Sequence, residues 1–384
     1  MPRLRRGVCV SVAAILLAFA PARFATAAGL SNVPALVRVY DAILDAHFDR
    51  VPSLLAGVCT KGAPPAVCQV MDVVSRWWQL QADPLDRQGD ADFERRVNAA
   101  IADTEAWAAA EPSNAEAWFY VGAAYSSRVQ WRVLRGQRLA AARDGKRIKD
   151  ALERAVALDS TLQDAWFGIG LYHYYADVAP AALKFLRFLL LLPGGDRVKG
   201  LQEMLRAREH GELLRGEADY QLHWLYLWYE HDPLRALELV RRLDVQYGSN
   251  PIFLQRLAEI QHDTRDHAAS RKTWQTLLDR ANARQVEAAP MAGVRARIGL
   301  AQELVELSDA RGAIDLLRST IDSHPTTPYG AEAHAHFVLG RAYELSGDRD
   351  RATTEWRGAI ATAPSDDPDN IRARARAAIA RTSR

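Results

Sequence analysis

Cysteine is scarce in this chain, with three among 384 residues. That excludes a disulfide-dense small scaffold and a four-cysteine zinc module. Charge of one sign is missing as well: Lys plus Arg total 49 against 47 Asp plus Glu, a formal net of +2. Four of those arginines (Arg3, Arg5, Arg6 and Arg23) stand within the first 27 residues, which hold no acid. The remainder counts 45 basic against 47 acidic residues, so no broad nucleic-acid footprint is expected. Glycine (23) and proline (17) are modest, which excludes collagen-like and low-complexity classes. His-Glu-x-x-His, a phosphate loop and a nucleophile elbow are all absent. Gly194-Gly195-Asp196 lacks the following Lys-Ser/Thr of a phosphate cradle and reads as a helix stop and restart. The expectation is a protein that is not an enzyme and carries no cofactor or metal. An enzyme with an unrecognised helical site is the alternative.

The leading residues carry an address. Arg3, Arg5 and Arg6 form a basic start, Val8–Ala20 is uncharged and apolar, and Ala25-Thr26-Ala27 offers a small-residue cleavage site. Residues 1–27 are read as a cleavable signal peptide, which places the mature chain in a periplasm or outside the cell. Removal of that segment takes Cys9 and leaves Cys59 and Cys68. Two cysteines across the turn-rich stretch Thr-Lys-Gly-Ala-Pro-Pro-Ala-Val, in an oxidising compartment, point to one disulfide. Two unpaired thiols are the alternative.

Abundant Leu, Ala and Arg favour helix over strand, so the expected class is all-α. Helical periods run over Pro34–His47, Ala66–Leu80 and Phe93–Ala110, with a break at Asp83–Asp90. Residues 28–112 are taken as an N-terminal helical cap holding the Cys59–Cys68 loop, and 113–384 as a helical repeat array. Residues 178–192 are unusually apolar yet interrupted by Lys184 and Arg187, too short and too charged to span a bilayer. A buried helix is the first reading of that stretch, and a membrane-touching patch of a peripheral envelope component is the second. The rings of Glu217–Glu230 are expected to be mostly core.

The array is most legible near the end of the chain. His336-x2-Leu339-Gly340-x2-Tyr343 is followed by Ala352-x3-Trp356 and by Pro364. Upstream, Trp118-x2-Val121-Gly122-x2-Tyr125 repeats the first half, with a displaced second half at Ile148-x3-Leu152. Trp166-x2-Ile169-Gly170-x2-His173 opens another unit, and Arg295-x2-Ile298-Gly299 with Ala313-x3-Leu317 and Pro325 gives a further partial match. Residues at i, i+4 and i+7 share a helix face, so a large side chain lines up with a glycine that lets a second helix approach. Arg128–Lys146 adds length between the units at Trp118 and Trp166.

This order of residues resembles the tetratricopeptide repeat family over roughly 113–364, most specifically at 115–173 and 333–364, with His336 standing in place of a tryptophan. The resemblance implies a right-handed superhelical solenoid of antiparallel helix pairs whose groove holds a protein or peptide. It also places Phe119, Ala123, Ser126, Ser127, Phe167, Leu171, Tyr174, Tyr175, Phe337, Arg341, Glu344 and Leu345 on the groove side of their helices. Those rings either anchor a partner or meet the extra N-terminal helices or the long insertion. Among the ten histidines, His334 and His336 point to different sides of a helix, and His262 and His267, five apart, fit one ligand set poorly.

Overall fold

A computed structural model describes residues 29–60, 62–179 and 194–382. The expected signal segment 1–27 and almost all of the apolar stretch 178–192 lie outside the described residues. Regular structure among the described residues is entirely helical. The order is α1 Val33–Leu44, α2 Val51–Cys59, α3 Pro65–Ala82, α4 Asp90–Ala110, α5 Ala115–Leu134, α6 Arg138–Leu158, α7 Ala165–Val178, α8 Arg197–His210 and α9 Arg215–Trp228. It continues with α10 Pro233–Gln246, α11 Pro251–Asp263, α12 His267–Asn282, α13 Ala289–Glu306, α14 Ala310–Asp322, α15 Ala331–Leu345, α16 Arg349–Thr362 and α17 Ile371–Thr382. No described helix is long and apolar enough to cross a membrane.

One turn recurs between paired helices. Thr264-Arg265-Asp266, Leu307-Ser308-Asp309 and Ser346-Gly347-Asp348 each place a left-handed residue between a helix end and an aspartate that starts the next helix. Each aspartate carboxylate accepts a backbone N–H three residues on, at 2.9–3.1 Å, satisfying a donor that the first turn leaves unpaired. Short turns of this kind force neighbouring helices antiparallel. α2 is not among the helices expected from the sequence. Its buried Val51, Leu55 and Val58 fall at i, i+4 and i+7, a helical period too brief to stand out.

Close approach follows from small residues facing large ones. A Cβ at Gly122 would lie 2.6 Å from the Leu152 side chain, and one at Gly340 would lie 2.4 Å from the Trp356 indole. Gly170 and Gly200 face each other, so that α7 and α8 touch backbone to backbone. Gly299 departs from the pattern: its neighbour is Trp274 on the preceding helix α12, and not the Leu317 of α14. The extra length between Trp118 and Trp166 is not a loop, because it extends α5 and α6 to 20 and 21 residues. Its arginines serve the fold. Arg128 and Arg132 both bind the buried Asp144 at 2.7–2.9 Å, and Arg135 binds Asp90.

Helix α3 of the expected N-terminal cap packs against later helices of the array. From α3, Trp78 packs on Tyr220 and Phe253, Trp77 donates to Gln130, and Gln81 accepts from Tyr220. At its end, the Ala82 carbonyl accepts from Arg295, and just beyond, the Asp83 carboxylate accepts the backbone N–H of Tyr329. These partners sit on α5, α9, α11 and α13 and just before α15, which are alternate helices of the series. Alternate helices form one face of a helix-pair stack, so α3 packs along that face. A single core runs from Leu36 to Leu300, and a second from Ala301 to Ala378.

Candidate functional site

The repeat positions occupy the contacts between helices. Trp118 is half-buried and donates to the Pro112 carbonyl, while Tyr125 is buried with its hydroxyl on Glu105 and Arg128 over its ring. Trp166 is half-buried beneath Arg206. Leu339, Tyr343, Ala352 and Trp356 are buried between α15 and α16, and Pro364 packs beside Gly330. Large-against-small interlocking therefore repeats along the chain at the positions the motif names. Among the described residues the architecture is an all-helical array of closely packed helix pairs, interlocked as the tetratricopeptide resemblance implies.

No protein-family model matches the chain, and no curated protein matches it significantly. Among solved structures it is similar to yeast Tom70, at 14% identity and a TM-score of 0.42 over 84% of this chain and 65% of that one. It is also similar to the APC/C hetero-tetramer Cut9-Hcn1, at 13% identity and a TM-score of 0.44 over 92% of this chain and 63% of that one. NprR in complex with its cognate peptide NprX gives 8% identity and a TM-score of 0.39 over 91% and 82%. The chain thus spans slightly less than two thirds of the first two structures' own length.

Within this array, the groove-side candidates separate by burial. Phe119, Phe167, Tyr174 and Phe337 are all buried. Phe337 is closed off by Arg374 of the final helix, 4.4 Å above its ring. Tyr174 is 0% exposed, and its hydroxyl donates to Glu230 at 2.5 Å. Burial first, then the Glu230 carboxylate, holds that hydroxyl well above the usual tyrosine range. These four rings are core, not anchors, because the chain's own helices fill the space a partner would use. Leu171, Arg341, Ala123 and Ser126 are half-buried, Ser127 is buried, and Arg341 is paired with Glu306 at 2.8 Å. Tyr175, Glu344 and Leu345 face solvent.

Tyr175 has exposed company. Its ring meets Tyr229 edge-on at 5.7 Å, and both also meet Tyr174. The neighbouring Trp228 is 59% exposed and lies 4.4 Å from Trp224, over which Arg256 stacks. Tyr175, Trp228 and Tyr229 are the only large aromatics exposed among the described residues, and all three fall at the last turns of α7 and α9. Arg197 binds Glu230 beside them. Beneath, His223 is fully buried between Tyr220 and Trp224. Burial and the Arg256 charge push its pKa down to about 3, so the ring stays neutral.

Polar chemistry elsewhere is mostly structural. Cys59 and Cys68 are bonded to each other with their Cα atoms 6.4 Å apart, which leaves no free thiol among the described residues. His173, His334 and His336 bind Glu203, Asp369 and Glu355. His262 and His267 are brought together, contrary to the expectation from their spacing. They do not share a helix: the α11–α12 turn folds them to a ring separation of 5.3 Å, and both reach Glu303 on α13. Sequence reading missed Glu303, an acid among apolar neighbours of α13, and counted Trp228 and Tyr229 among the rings of Glu217–Glu230 expected to be mostly core, whereas both are exposed.

Proposed function

We propose that this chain is an exported, non-enzymatic scaffold that holds a protein or peptide at the aromatic rim formed by Tyr175, Trp228 and Tyr229. The observation that carries the reading is the exposure of three large rings at one place, while the other aromatics among the described residues are buried wholly or in part. Exposed Trp and Tyr side chains lose little conformational entropy on binding and dominate interface hot spots. The Cys59–Cys68 bond supports export, since such bonds persist in oxidising compartments.

A photo-crosslinking residue placed at Trp228 should trap a discrete partner in cells, while the same residue at Val245, 86% exposed, should not. Trp228→Ala should weaken that capture at least tenfold and leave the melting temperature within about 1 °C, because the ring is mostly in water. Equal trapping from both positions, or none from Trp228, would count against this rim.

A further inference from the structure

Glu303 is the most enclosed carboxylate of the described chain, at 1% exposure, yet its bonds run to no arginine or lysine. One oxygen accepts from His262 Nδ1 at 2.7 Å and the other from His267 Nδ1 at 2.8 Å. A buried carboxylate needs positive compensation, and the side chains bonded to this one are both imidazoles, which are also metal ligands. The candidate ligand atoms of the three residues all lie within 4.8 Å of one another. Tetrahedral coordination at about 2.0–2.2 Å puts ligand atoms about 3.3 Å apart, so the two hydrogen-bonded contacts must open slightly and the widest separation, at most 4.8 Å, must close by up to about 1.5 Å to admit an ion. The imidazole side chains are 28% and 23% exposed, which leaves a route from solvent and an open coordination position. An outer partner is already in place, for Gln302 Nε2 lies 3.2 Å from His262 Nε2.

We infer that His262, His267 and Glu303 bind a first-row divalent cation of the zinc class, with two imidazole nitrogens and one carboxylate as ligands. On binding, each Nδ1 gives up its proton to coordinate, and the ring carries its proton at Nε2 instead. The Gln302 amide then turns to offer its oxygen to His262 Nε2–H. Because His262 closes α11, His267 opens α12 and Glu303 lies on α13, the ion clips one helix pair to the next.

The test uses untagged full-length chain, stripped with chelator and titrated with zinc chloride against a chromophoric competitor. One zinc per chain at micromolar affinity or tighter is expected, with a melting temperature that rises with free zinc. His262→Ala and His267→Ala should each weaken binding at least tenfold, while His336→Ala, which removes another histidine–carboxylate pair, should leave it unchanged. His267→Asn keeps a donor for Glu303 without a ligand nitrogen, so it should retain the metal-free melting temperature and lose the zinc response. No binding at millimolar zinc, or undiminished binding in both histidine-to-alanine variants, would overturn the site and leave a hydrogen-bonded clamp.

Discussion

At the residue scale, two side chains show how burial converts composition into energetics. Glu217 is sealed between Tyr40, Trp78 and Gln221, which all donate to it. Desolvation nonetheless raises its pKa above the ordinary carboxylate value. A folded-state pKa above the unfolded one means that the protonated form favours the fold, and that contribution is lost as pH rises. Glu217→Gln should therefore melt at a higher temperature than the parent at pH 8, with the difference closing near pH 4, as followed by circular dichroism. Gly340 is the second case. Its open side is filled by the Trp356 indole, so Gly340→Leu should overpack α15 against α16 and cost about 1–3 kcal/mol, measurable by urea unfolding. Both expectations depend on neighbours distant in sequence, although Gly340 already stands out in the motif.

At the scale of elements, several helix starts depend only on residues a few positions apart. The Asp and Asn caps and the first-turn prolines at 65, 233 and 251 act locally. Pairing between helices was legible only where a motif encoded it. The Arg-rich insertion reads in sequence only as added length, yet it holds Asp144 in a two-arginine clamp. Asp144→Ala should strand Arg128 and Arg132 half-buried without a counter-charge and cost about 3 kcal/mol. Circular dichroism melts should show that loss, with Arg128→Ala costing less because Arg132 remains.

At the scale of the whole molecule, α3 acts as a strut against later helices. Trp78→Ala should cost about 3–5 kcal/mol and raise hydrogen exchange in α9 and α11, whose Tyr220 and Phe253 it touches. Exchange in α16 and α17 should stay low, since they belong to the second core. Opening the Cys59–Cys68 loop with paired serines should cost about 2–3 kcal/mol by loop-closure entropy, with α1–α3 the first region to lose protection.

The sequence by itself determined the helical class, the repeat positions and the cysteine pair, because caps, periods and glycine–aromatic spacing operate over a turn or two of helix. Only the tertiary structure decided what occupies the groove. Phe119, Phe167, Tyr174 and Phe337 have groove-side spacing in the chain, and whether such a ring meets solvent or protein depends on helices more than a hundred residues apart, as Trp78 and Tyr220 are. Separation in sequence also hid Glu303, forty-one residues beyond His262, until the turn at Arg265 folded the two histidines onto it.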